Sequence, residues 1–180
     1  MRPAASPEGA ALADRPASLS GLRAIGPWLL VAVVIAVLDL TTKMVVQAYL
    51  HPGEVVRVTP FLDLVLVFNK GAAFSFLAGA SGWQRGFFIG VAVIAAGLIV
   101  HLLRRHADDR LFCVGLALIL GGALGNLWDR IVLGHVVDFV LAHAYGYHWP
   151  AFNVADSAIT VGAAALIWDG VFGRPAKREG

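Results

Sequence analysis

Charged side chains are scarce in this chain. Asp, Glu, Lys and Arg make up 14% of its 180 residues, where a soluble domain carries about a quarter. Apolar residues fill their place, at 58% of the chain, and the mean hydropathy is +0.74. That much apolar surface must face something other than water, and lipid is the ready partner. Cysteine is scarcer still. Cys113 stands alone inside an apolar run, so no disulfide framework is available, and it reads as a small buried hydrophobe. The formal net charge of +2 is too small to point to nucleic acid. The length suits one domain and not two.

What is there is four apolar segments. They run from about Ile25 to Leu50, Gly86 to Leu103, Leu111 to Trp128 and Val154 to Phe172. Each is near the roughly 20 residues that cross a bilayer as a helix. Ile131 to Trp149 is also fairly apolar, but Gly134, Asp138, Gly146, three histidines and the following Pro150 argue against a fifth span. Residues 1–23 read as a disordered leader, rich in Ala, Pro and Ser up to Ser20. Glu8 and Asp14 precede the first apolar run and no small-x-small site follows it, unlike a cleaved signal peptide. The expected organisation is a membrane domain at 24–173 and a tail at 174–180.

Basic residues give the orientation. Arg2, Arg15, Arg23, Arg104, Arg105, Arg110, Arg174, Lys177 and Arg178 fall on one side of a four-span chain, against Lys43, Arg57, Lys70, Arg85 and Arg130 on the other or in span ends. The positive-inside rule makes the first side cytoplasmic. Both termini are then inside, and the connections His51 to Arg85 and Arg130 to Asn153 outside. In the first of these, Leu62, Leu64, Leu66 and Phe68 alternate with Asp63, Val65, Val67 and Asn69, which predicts a short sheet resting on the membrane, since an open edge is not tolerated in hydrocarbon. The expected fold is an all-α membrane protein of four transmembrane helices with a small extracytoplasmic β-sheet and loop region.

Polar residues from five segments reach one level near the outer face. Asp39 lies about 14 residues into the first span. Asn126, Asp129 and Arg130 close the third, Asn153 and Asp156 open the fourth, and Asn69 and Asp138 lie in the outer connections. Ionisable groups at membrane depth are costly, and a functional site is the default reading of them. Asp39 and Lys43, four apart with the acid first, either neutralise one another or meet a substrate. Asp129 and Arg130 read equally as anchors that snorkel outward, Asp169 as a boundary charge, and Gly115, Gly121, Gly122 and Gly125 as helix-packing surface. Asp138 and Asp156 have no basic residue at helical spacing and sit in apolar sequence. Brought together, two such carboxyls could share one proton. Asn153 is three residues before Asp156 on the same face, and Asn126 and Arg130 share a face likewise.

At these residues the chain resembles the bacterial lipoprotein signal peptidases (signal peptidase II), a family of membrane aspartyl proteases. The matching blocks are DLTTK at Asp39–Lys43, FNKGAAFSF at Phe68–Phe76, GGALGNLWDRIVLGHVVDFV at Gly121–Val140 and FNVADSAITVG at Phe152–Gly162. Together, in order, they are highly specific. The resemblance implies Asp138 and Asp156 as the catalytic dyad, with Asp39, Lys43, Asn69, Gly122, Asn126, Arg130 and Asn153 around it. It implies no metal and no cofactor, and as substrate a prolipoprotein whose lipobox cysteine bears diacylglycerol, cut just before that cysteine. It also implies a place in the bacterial inner membrane and binding of the family's cyclic peptide inhibitor, globomycin, at the dyad. The outer sheet and Gly71–Phe76 would clamp the extended peptide.

Three rival readings are weighed. A metalloprotease could use His135, His143 and His148, but the chain has no HExxH motif. A proton-coupled transporter could use intramembrane aspartates, and would ordinarily show more spans or an internal repeat. A structural membrane subunit would need none of this polar convergence.

Overall fold

A computed structural model describes residues 17–71 and 83–172, with side chains from residue 24 onward. The expectations for residues 1–16, for residues 72–76 of the proposed clamp and for the tail at 174–180 lie outside the described residues. Among the described residues four helices are long and apolar enough to cross a membrane: α1 (Ala17–Tyr49, apolar from Ala24), α2 (Trp83–Arg105), α3 (Arg110–Val132) and α4 (Val154–Phe172). The helices overrun the apolar runs at their polar ends. Trp83, Arg85, Arg104, Arg105, Asp129 and Arg130 are all helical, because the boundary of the hydrocarbon is not the boundary of a helix. α1 likewise begins at Ala17, inside the stretch read as leader, and continues through Pro27.

Helix α3 is the centre of the bundle, touching each of the other three helices. Half of its apolar stretch is buried inside the fold, against 22%, 11% and 17% for α1, α2 and α4. The outward faces of those three remain apolar, as at Val37, Ile94 and Ile167, which suits lipid contact. Glycines let the backbones approach. A Cβ at Gly162 on α4 would stand 2.6 Å from the carbonyl oxygen of Gly115 on α3, and one at Gly121 would stand 2.6 Å from that of Ala32 on α1. The small-residue reading of Gly115 and Gly121 thus has a contact behind it. At its ends α3 is closed locally. Asp109 caps the start by accepting the Phe112 N–H, and Gly134 (φ +79°) turns the chain out at the end while donating to Asp129.

The expected small sheet draws strands from both connections. β1 (Val55–Thr59) and β2 (Leu62–Asn69) are joined by β3 (Val136–Ala144) and β4 (Tyr147–His148), all antiparallel, in the order β1-β2-β3-β4. The stretch Ile131–Trp149 is therefore a helix end and two strands, not a span. The strict alternation expected along β2 fails midway. Val65 and Leu66 are both buried while Val67 and Phe68 are both about 42% exposed. The register explains it: Leu64 faces Val140 and Val67 faces Asp138, so Val65 and Leu66 together oppose Phe139, a β-bulge that reverses the faces beyond it.

Because the Gly162 contact is with backbone, which cannot swing aside, Gly162→Ala should cost about 1–3 kcal/mol. It should lower the unfolding midpoint of the detergent-solubilised protein; an unchanged midpoint would mean that α3 and α4 do not touch there.

Candidate active site

The site is built where the sheet meets three of the helices. Helix α4 starts with a reciprocal cap. Asn153 Oδ1 accepts the N–H of Asp156 at 2.9 Å, and Asp156 Oδ2 accepts the N–H of Asn153 at 3.3 Å. This is the capping box, with Asn and Asp in the usual places of Ser or Thr and Glu. It fixes the Asp156 carboxylate against the first turn of α4. The chain before α4 is stitched to β3, since Phe152 exchanges hydrogen bonds with Val140 and also accepts from Phe139.

Asp138 arrives on β3, where Val136, Val137, Asp138 and Phe139 are all buried. The bulge in β2 decides its partner. Asn69 faces Val136, which puts it diagonally across from Asp138 on one face, and its Nδ2 donates to Asp138 Oδ2 at 2.9 Å. Without the bulge Asn69 would point to the opposite face. Its Oδ1 accepts from the N–H of Gly71, whose φ of +105° suits a glycine at this turn.

Two asparagine amides join the carboxylates. Asn153 Nδ2 donates to Asp138 Oδ1 at 2.7 Å and also reaches Asn126 Oδ1 and the Val137 carbonyl at 3.2 Å. Asn126 Nδ2 donates to Asp156 Oδ1 at 2.8 Å. The carboxylates differ in their surroundings: Asp138 is 2% exposed, while Asp156 is half-buried. Asp156 lines an open cavity of about 410 Å³ with Trp149, Phe152, Ser157, Thr160 and Val161. The Ser157 and Thr160 hydroxyls donate back to carbonyls of their own helix, so the cavity wall is largely apolar.

Behind the asparagines lies a buried cation. Lys43, 1% exposed, has Asp39 at 2.6 Å, Asp129 at 2.9 Å and Asn126 Oδ1 at 2.9 Å. The alternative in which Asp39 and Lys43 pair is thus the one seen, with Asp129 as a second counter-charge. Asp129 is 2% exposed and points inward, not out as a snorkelling anchor would. Its spacing of three from Asn126 on one helix face was the available signal. Gly122 and Gly125 make room: a Cβ at Gly122 would strike the Ala155 carbonyl, and one at Gly125 the Asp39 carboxylate. Gly125, read only as packing surface, therefore belongs to the site's wall. Arg130 donates to the Asn126 carbonyl at 3.0 Å, lies 5.0 Å over the Phe88 ring, and interacts electrostatically with Asp156 and Asp138.

The histidines are spread out. His135 lies against Phe68, and His143 stacks on His148 while pairing with the buried Asp63 at 3.1 Å. Among the described residues no three His, Cys, Asp or Glu side chains are grouped to hold a metal ion.

Fold and site together define a multi-pass membrane protein with two carboxyls on separate elements, bridged by amides at one end of its bundle. The profile of the signal peptidase (SPase) II family matches residues 31–172, and the chain belongs to that family. It is 56% identical over 149 residues to the lipoprotein signal peptidase of Ralstonia nicotianae, covering 83% of this chain and 86% of the relative. It is 55% identical over 143 residues to that of a Janthinobacterium species, covering 79% and 87%. A bacterial membrane enzyme solved by the in meso method superimposes with a TM-score of 0.75 at 32% identity, covering 87% of this chain and 94% of that one. None of these matches supports the transporter reading.

Burial pushes the Asp138 carboxyl up to about 6 from its ordinary 3.8; the Asn69 bond pulls it back, the Asp156 charge adds to the rise, and Asn153 and Lys43 oppose it. A carboxyl raised on folding favours the fold fully below 3.8, and that contribution is lost as pH climbs through about 6. Asn69→Ala removes a donor to the ionised form, so the Asp138 midpoint should move up further. Infrared titration of the carboxyl stretch measures this, and a midpoint at or below the parent's would contradict the assigned bond.

Proposed function

We propose that this chain is an aspartyl endopeptidase that removes the signal peptide from prolipoproteins whose lipobox cysteine carries diacylglycerol, cutting immediately before that cysteine. The observation that carries the reading is the Asn153 side chain, which holds Asp138 through its amide nitrogen and the Asp156 backbone through its oxygen. A pair of carboxyls locked together in this way can keep one proton between them. Kinship to the lipoprotein signal peptidases supplies the substrate class.

The difference in burial suggests the division of labour. Buried Asp138 retains the proton, and half-buried Asp156, at the cavity mouth, takes a proton from water as that water attacks the scissile carbonyl. Asp138 donates its proton to the carbonyl oxygen, giving a tetrahedral diol. On collapse a diol hydroxyl returns its proton to Asp138, and Asp156 delivers its own to the departing nitrogen as the C–N bond breaks. The net consumption is one water, and the dyad ends as it began. The apparent pKa values belong to the pair. The substrate's acyl chains, resting on lipid-facing surface, contribute binding energy away from the reacting atoms. Globomycin, in this reading, occupies the same cleft and competes with precursor.

The distribution of basic residues supports an orientation with both termini, the leader at 1–23 and the tail at 174–180 in the cytoplasm of a bacterial cell, and the dyad toward the outer face of its inner membrane. Reporter fusions at Ala107 and after Arg174 should read cytoplasmic, and those near Gly79 and Ala144 external; an external signal at Ala107 would overturn this orientation.

Purified protein should cleave a lipidated precursor with or without chelator. Asp138→Asn and Asp156→Asn should each lower turnover by more than about 10²–10⁴-fold while leaving insertion and precursor binding intact. The double variant should be little worse than either single one, because the two act as a unit. A well-folded Asn variant within about tenfold of the parent rate would sink the dyad assignment.

A further inference from the structure

The two carboxylates beside Lys43 do more than neutralise it. Asp39 Oδ1 accepts the backbone N–H of Ala155 at 2.9 Å, and Asp129 Oδ2 accepts that of Val137 at 3.1 Å. Ala155 immediately precedes Asp156, and Val137 immediately precedes Asp138. One ammonium group therefore stands at the joint of two arms, and each arm ends on the backbone one residue before a carboxyl of the dyad. A third contact reaches the dyad directly. Lys43 Nζ donates to Asn126 Oδ1, which obliges the Asn126 amide to turn its nitrogen toward Asp156 Oδ1.

We infer that Lys43, acting through Asp39, Asp129 and Asn126, is the positioning residue that sets the spacing and facing of Asp138 and Asp156. The inference rests on the aspartyl-dyad reading above and adds a part to it. Lys43, Asp39 and Asp129 are 1%, 0% and 2% exposed, so the cluster acts from behind the dyad and not on substrate. Charge neutralisation alone needs no contact with Ala155 or Val137. The Ala155 bond ties α4 directly to α1, and the Val137 bond ties β3 to Asp129 on α3, whose carboxylate in turn faces Lys43 on α1. Helix α3 supplies Asp129 and Asn126 and, at Gly125, leaves the space in which the Asp39 carboxylate lies.

Removing Lys43 alone would strand two buried carboxylates, and such a variant could simply fail to fold. Asp129→Ala avoids this, because Lys43 keeps Asp39 as its counter-charge while the acceptor for Val137 is removed. Purified Asp129→Ala should insert normally and bind precursor, with KM for lipidated precursor within about twofold of the parent and kcat lower by about tenfold to a hundredfold, as expected for misplaced reacting groups. The Val137 amide should exchange hydrogen faster than in the parent. A charge-free triple variant, Asp39→Asn/Lys43→Met/Asp129→Asn, should show the same split between kcat and KM with the larger loss. Parent-like kcat per folded molecule in either variant, or a defect confined to KM or to abundance, would overturn the inference. Asp138→Asn and Asp156→Asn run alongside separate the two claims. If those remain active, the dyad reading fails; if they are inactive while Asp129→Ala keeps the parent kcat, only the positioning role fails.

Discussion

A lysine ammonium closed off from water inside a helix bundle has few stable settings, and the sheet end of this bundle is one of them. Desolvation of Lys43, Asp39 and Asp129 costs several kcal/mol per ion before pairing offsets it, so further donors to the two acids help to hold them. Asp39 Oδ1 accepts the N–H of Ala155, and Asp129 Oδ2, the oxygen that also faces Lys43, accepts that of Val137. That requirement brings the start of α4 and the start of β3 to the same place. It also limits what α3 can carry on the face between them, where a Cβ at Gly125 or Gly122 would collide with the Asp39 carboxylate or the Ala155 carbonyl. The convergence of four elements at one point is thus a consequence of burying one cation.

The same convergence makes the two carboxyls of the proposed dyad unequal. Asp138 rides on a strand segment buried on both sides of the chain, and Asp156 sits in the first turn of a helix at the edge of a cavity. Burial favours the neutral form of the first, and the second stays within reach of water. A symmetric pair would have no fixed acid and base; here the difference comes from where the elements end.

Much of the architecture was legible because helices in lipid leave a strong signal: long apolar runs separated by basic links. The site residues were legible because polar groups are rare in such runs, so Asp39, Asn126, Asp138, Asn153 and Asp156 stand out. What stayed hidden has physical reasons. β3 is buried through Val136–Phe139 and so shows no alternation, only an apolar stretch broken at Asp138, which periodicity cannot assign to strand or helix. The bulge at Val65 and Leu66 depends on the partner strand, and no local pattern announces it. Asp129 sits beside Arg130 at a helix end, the usual place for a solvated charge, and only the tertiary fold turns it inward toward Lys43. Asp63, buried against His143, was assigned by alternation to a face opposite the leucines, without a sign of its partner.

Why should the carboxyls lie at a helix start and a strand instead of midway along two spans? The first turn of any helix has N–H groups without partners inside the helix, and in or near lipid they must find acceptors. In α4 those acceptors are Asp39 for Ala155 and Asn153 for Asp156. The polar side chains that the helix start needs for its own closure are therefore the ones that surround Asp156. On the strand side, Asp138 lies in a sheet, where backbone groups already pair laterally and an extended segment is the natural neighbour. A peptide bond can be attacked only after the helix around it has opened, and opening is least costly where acceptors and donors are already presented. In the proposed dyad, placing the carboxyls where helix start meets sheet would satisfy the backbone rules of the membrane and the access needs of hydrolysis with one set of residues.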